Sequence, residues 1–132
     1  GELTDMGWPL NPQGLGNICH RWHKEFGEKL PPIFITENGV AYDDDVNSQG
    51  TVNDLRRIEY IKSHLLSVAS AIEKGAPIKG YYHWSLMDNF EWALGYEKRF
   101  GIVHVDFKTQ KRTLKDSALW YKKVIANNGI EL

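Results

Sequence analysis

Pro32-Ile33-Phe34-Ile35-Thr36-Glu37-Asn38-Gly39 is the stretch whose reading decides the fold. A short, bulky and mostly apolar run leads straight into one carboxylate, and Asn38-Gly39 then turns the backbone. Such a run, bounded by Pro and Asn-Gly, reads as a strand buried on both faces, the kind found in parallel sheets. A carboxylate at the C-terminal end of such a strand stands where α/β barrels keep their chemistry. Taken alone, the segment leaves two readings open for Glu37: a surface residue that ends a strand, or a catalytic group.

Downstream, Ile78-Lys79-Gly80-Tyr81-Tyr82-His83-Trp84-Ser85 is a second strand-like run. It empties into Leu86-Met87-Asp88-Asn89-Phe90-Glu91-Trp92 and then Gly95-Tyr96-Glu97-Lys98-Arg99-Phe100-Gly101. Between the two runs, Leu55, Ile58, Ile61, Leu65, Val68, Ala69 and Ile72 recur at helical spacing and form one apolar face. Asn53 is its expected cap, and Gly75 and Pro77 lie beyond its end. This predicts a strand-helix-strand unit with a right-handed crossover.

Upstream, Asn11 and Pro12 occupy cap and first-turn positions of a helix carrying Leu15, Ile18, Cys19, Trp22 and Phe26, stopped by Gly27. Residues 38–53, with Asp43-Asp44-Asp45, read as a polar, solvated loop. Residues 101–107 alternate like a short strand, and 108–111 form a turn leading a few residues back. Thr113 and Asp116 resemble a capping box for a last helix bearing Ala118, Leu119, Tyr121, Val124 and Ile125, closed by Asn128-Gly129.

The chain has 132 residues, enough for one domain with a modest core. A net charge of -1 gives no reason to expect nucleic acid or an anionic membrane as partner. No apolar run approaches the ~20 residues of a membrane span. The lone Cys19 leaves no internal disulfide and fits a reducing, cytoplasmic compartment. Cys19, His20 and His23 lack the spacing and fourth ligand of a metal site, and the Asp triplet lacks the pattern of a calcium loop. No cofactor is expected.

The motifs Ile35-Thr36-Glu37-Asn38-Gly39, Trp84-Ser85-Leu86-Met87-Asp88-Asn89-Phe90-Glu91-Trp92 and Lys98-Arg99-Phe100-Gly101-Ile102-Val103 resemble, in this order, the C-terminal part of a glycoside hydrolase family 1 enzyme, the β-glucosidase family. Thr4-Asp5-Met6-Gly7-Trp8 and Lys115-Asp116-Ser117-Ala118 also fit, so the resemblance covers nearly all of residues 1–132 as one portion of a barrel. It implies an α/β fold: the last quarter or so of a (β/α)8 TIM barrel, about two barrel strands with flanking helices. A complete barrel needs roughly 250 residues, so the chain is read as cut from a longer enzyme or as a truncated product.

The resemblance also implies retaining hydrolysis of β-glycosides, with Glu37 as nucleophile. It makes Trp84 the platform beneath the sugar ring, Glu91 an acceptor for sugar hydroxyls, Trp92 an indole N–H donor and Phe100 an aromatic wall. Aromatic faces suit sugars because axial C–H groups form an apolar patch; core packing is the competing reading for Trp84 and Trp92. The family's acid/base glutamate lies in a Thr-x-Asn-Glu-Pro motif, which does not occur here. A cis peptide is expected at Trp84-Ser85, and His83 points to the other side of its strand. Three readings follow: part of a retaining β-glucosidase, a unit that binds a β-glucoside or related small saccharide without turnover, or a homo-oligomer joined through exposed strand edges.

Overall fold

The computed structural model describes residues 2–130, in which three helices and two small sheets appear in the expected order. Helix α1 spans Pro12–Phe26. The Asn11 side chain accepts from the Gly14 N–H at 3.2 Å, and Pro12 fills a position whose N–H would have no helical partner. Gly27, at φ 55°, ends the helix in a conformation that side chains disfavour.

Strands β1 (Ile33–Asn38) and β2 (Ile78–His83) pair in parallel, Ile33 opposite Ile78 and Ile35 opposite Tyr81. Helix α2 (Leu55–Glu73) connects them, which gives the predicted strand-helix-strand unit. Cys19, Ile35, Val68, Ala71, Ala76 and Ile78 form the core between α1, α2 and the sheet. Burial of a side chain such as Ile35 contributes about 1.5–3 kcal/mol.

A hairpin follows, β3 (Val103–Val105) against β4 (Arg112–Leu114), antiparallel with Val103 opposite Leu114. Helix α3 (Asp116–Asn127) closes the fold and ends on Asn128 in the left-handed region. A second core of Ile61, Ile102 and Val103, flanked by Tyr60, Leu65, Trp120 and Tyr121, joins α2 to this part. Among the described residues the two sheets remain separate and two-stranded, so the barrel is not closed. No helix of the described residues is long and apolar enough to cross a membrane.

Several expectations are corrected. β1 is buried on one face only: Ile35 is enclosed while Phe34 is 54% exposed, because none of the described residues covers that side. The buried stripe of α2 runs through Arg57, Ile61, His64, Val68 and Ala71, leaving Leu55 and Ile72 in solvent. It is rotated from the apolar pattern because Arg57 and His64 take core positions. The cap of α2 is Asp54, not Asn53, and its carboxylate turns to Arg57 and Ser117. The 38–53 segment is irregular, yet Val40, Ala41, Tyr42, Asp44 and Val52 are buried in it. All three residues of β3 are buried, so it does not alternate. Thr113 lies in β4 and caps nothing; Lys115 is the residue before α3, with no side-chain cap.

Candidate active-site pocket

A pocket of about 380 Å³ opens at the C-terminal ends of β1 and β2. Glu37, Trp84, Glu91, Trp92 and Phe100 all line it, so the five residues singled out in the sequence meet in one place. Trp8, Asn38, Gly39 and Tyr60 complete the lining. Trp8 belonged to a recognised motif without being assigned to the site; Tyr60 sits on α2 with no sequence signal to mark it.

The strand end that carries Glu37 is held from both sides. Tyr81 donates its hydroxyl to Asn38 Oδ1 at 2.7 Å, and Asn38 Nδ2 donates to Tyr60 Oη at 3.2 Å. Burial pushes the pKa of both phenols up, so they stay protonated. The Trp84 N–H donates to the Asn38 carbonyl at 3.0 Å, and Trp84-Ser85 is a cis peptide, as expected. Gly39 is obligatory here: a Cβ on it would overlap the Trp84 carbonyl oxygen. His83 lies apart from the pocket lining, and burial lowers its pKa to about 3, with the Arg57 charge adding to the effect.

The second side of the pocket comes from the loop after β2. Ser85 donates its Oγ to the Met87 carbonyl at 2.8 Å and its N–H to the Phe100 carbonyl at 3.1 Å. Glu91 precedes a single 3-10 turn, Trp92–Leu94, and its N–H donates to the Gly95 carbonyl at 2.6 Å. Trp92 adopts φ 41° and is 83% exposed, whereas Phe100 is buried with its ring 6.3 Å from that of Trp8.

Beneath the pocket lies a buried cluster of charges that sequence reasoning missed. Arg57 donates to Asp44 and Asp54, and Lys115 donates to Asp44 at 2.7 Å and Asp88 at 3.1 Å. Asp88 also accepts from Arg99 at 2.7 Å and from the Gly101 N–H at 3.0 Å. Ser117 donates its N–H and hydroxyl to Asp54 at 2.8 and 2.5 Å. The Asp43-Asp44-Asp45 triplet is thus not a solvated loop throughout, since Asp44 turns inward to Arg57 and Lys115. Desolvation lowers the pKa of Lys115, opposed by the two aspartates it contacts. Among the described residues no cluster of His, Cys, Asp and Glu is arranged to hold a metal.

Parallel strands linked by a helix, with a pocket of carboxylates and aromatic faces at their C-terminal ends, define a segment of an α/β barrel. The chain belongs to glycosyl hydrolase family 1, whose pattern it matches over residues 1–130. It is 52% identical over 128 residues to β-glucosidase A of Thermotoga maritima, covering 97% of this chain and 28% of that protein. β-Glucosidase A of Acetivibrio thermocellus is 51% identical over the same shares, and a 6-phospho-β-galactosidase of Leptotrichia buccalis 51% identical over 92% of this chain and 26% of its own length. The solved family 1 β-glucosidase of Thermotoga maritima superposes with a TM-score of 0.94, at 51% identity over 98% of this chain and 29% of that one. A further structure of the Thermotoga maritima enzyme holds deoxynojirimycin. The chain therefore spans less than a third of the length of the relatives it matches, and its fold is an unclosed part of their barrel.

Proposed function

We propose that this chain supplies the nucleophile and the glycone-binding half of a retaining β-glycosidase site. The observation that carries the proposal is the convergence of Glu37, Glu91, Trp84, Trp92 and Phe100 on one pocket in a family 1 chain. A β-glucoside would lay its C–H face on Trp84, with its hydroxyls donating to Glu91 and accepting from the Trp92 indole N–H. A Glu37 oxygen would then attack the anomeric carbon, breaking its bond to the leaving oxygen and forming a glycosyl ester. Water attacking the same carbon would release the sugar and restore the carboxylate.

The leaving oxygen needs a proton from a second carboxyl group about 5–5.5 Å from the first. The family motif that carries this acid does not occur in the sequence. Substrates whose leaving group departs without a proton are therefore the ones this chain would turn over. An aryl β-glucoside with a strongly acidic phenol tests this: slow phenol release should vanish in Glu37→Ala. Release that survives Glu37→Ala, or robust hydrolysis of an unactivated disaccharide, would overturn the assignment.

The exposed Phe34 and Tyr82 on the two barrel strands support a second proposal, that copies of the chain associate through the β1–β2 sheet.

A further inference from the structure

Two stretches far apart in sequence line the pocket together: the end of β1 with Glu37, and the turn that carries Phe100. One side chain bonds the backbone next to both. Arg57 is fully buried and does not line the pocket. Its Nη2 donates to the Arg99 carbonyl at 2.7 Å, immediately before Phe100, and to the Val40 carbonyl at 3.4 Å, just after Gly39. Its Nη1 donates to Asp54 at 2.8 Å and to Asp44, so the guanidinium itself is fixed. The Tyr42 N–H reaches the same Arg99 carbonyl at 3.3 Å.

The far neighbour of Phe100 is held by the same cluster. The Gly101 N–H donates to Asp88, which is bound in turn to Lys115 and thence to Asp44. A Cβ on Gly101 would collide with the Asp88 backbone nitrogen, so the turn lies directly on the Asp88 loop. Both residues flanking Phe100 are thus tied to the segment following Glu37.

We propose that Arg57 is a positioning residue that sets the Glu37 strand end and the Phe100 turn at a fixed separation across the pocket. A planar fork can serve several acceptors at fixed angles, and a lysine ammonium cannot reproduce that geometry. The consequence for sugar affinity rests on the glycosidase reading of the pocket; the tie itself does not.

The test is Arg57→Lys in the whole chain, read by amide hydrogen exchange and by calorimetric titration with deoxynojirimycin. The amides of Tyr42 and Ser85, which bond across to the Arg99 and Phe100 carbonyls, should exchange at least about 10-fold faster. Those of α1 and the Ile33 amide, bonded to the Pro77 carbonyl, should keep their protection. The dissociation constant for deoxynojirimycin should rise roughly 10-fold or more, as misplacement across a site demands. Unchanged exchange at Tyr42 and Ser85, or equal acceleration at every amide, overturns the proposal, the latter because Arg57 would then only hold the fold together. A wild-type chain that ignores deoxynojirimycin sinks the glycosidase reading and leaves exchange to decide the tie. If Arg57→Lys fails to fold, Asp44→Asn weakens one of the two carboxylate anchors of the guanidinium and leaves Asp54 in place. Faster exchange at Tyr42 and Ser85, with α1 and Ile33 still protected, would then support the proposal, and its absence would overturn it.

Discussion

At the pocket end of the molecule, Asp44, Asp54, Arg57, Asp88 and Lys115 are sealed from water and bonded to one another, whereas along the strands beneath, Phe34 and Tyr82 stand 54% and 59% exposed. The polarity is inverted from the usual arrangement of charge outside and aromatic inside. Charges withdrawn from water are tolerable only when each finds its partners, and here every partner of the cluster lies between residues 40 and 117. The sheet, by contrast, has one apolar face and two edges that none of the described residues covers. The charge cluster beside the pocket finds its ion-pair partners within the chain, whereas one face of the barrel wall stays open among the described residues.

The contrast can be broken most forcefully at its charged pole. Arg57→Met leaves Asp54 with no cation and Asp44 with Lys115 alone, and should cost about 3–5 kcal/mol, measured by denaturant unfolding. A loss below 1 kcal/mol would mean the cluster takes up water in place of the guanidinium. Next comes the seam between β1 and β2: Gly39→Ala drives a methyl into the Trp84 carbonyl and should cost roughly 1–3 kcal/mol. The same melt would detect it.

Acid probes the buried side through His83. The unfolded chain takes up a proton near the ordinary value of 6.5, while folded His83 resists until about 3. Acidification through that window therefore favours unfolding, and stability should fall with pH by up to about 1.4 kcal/mol per unit for this one group. Burial lowers the pKa of His64 and His104 as well, so the three act together. In His83→Gln, the plot of unfolding free energy against pH should be shallower by one proton; an unchanged slope would refute the burial effect.

The mildest effect on stability is expected at the open pole. Phe34→Lys with Tyr82→Lys removes half-exposed apolar surface and should change monomer stability by roughly 1 kcal/mol per site or less. Light scattering at micromolar concentration should nonetheless show the wild-type chain assembled and the double variant monomeric. A wild-type monomer that melts cooperatively would remove the case for association through this sheet.

Local chemistry made much of the fold readable. Asn11, Pro12 and Gly27 mark both ends of α1, and the runs into Asn38 and His83 gave both barrel strands to within a residue. The set of site residues was readable for a different reason, since only the order of whole motifs drew Glu37, Glu91 and the aromatics together. The charge cluster was hidden because nothing local distinguishes Asp44 from its two neighbours; Arg57 and Lys115, distant in sequence, decide which one turns inward. The same long-range demand put Arg57 into the stripe of α2 and defeated its apolar periodicity. Tyr60 entered the pocket with that rotation, and Thr113 joined a strand because β3 offered it a partner in His104.

Trp92, 83% exposed on its tight turn, also gives the chain an optical signature. An indole in water emits at longer wavelength than one in apolar surroundings, and Trp92 is the most exposed of the five tryptophans here. Any ligand, second copy or missing barrel segment that covers the pocket should shift the emission to the blue. Trp92→Phe would leave the steadier signals of the less exposed indoles as the reference.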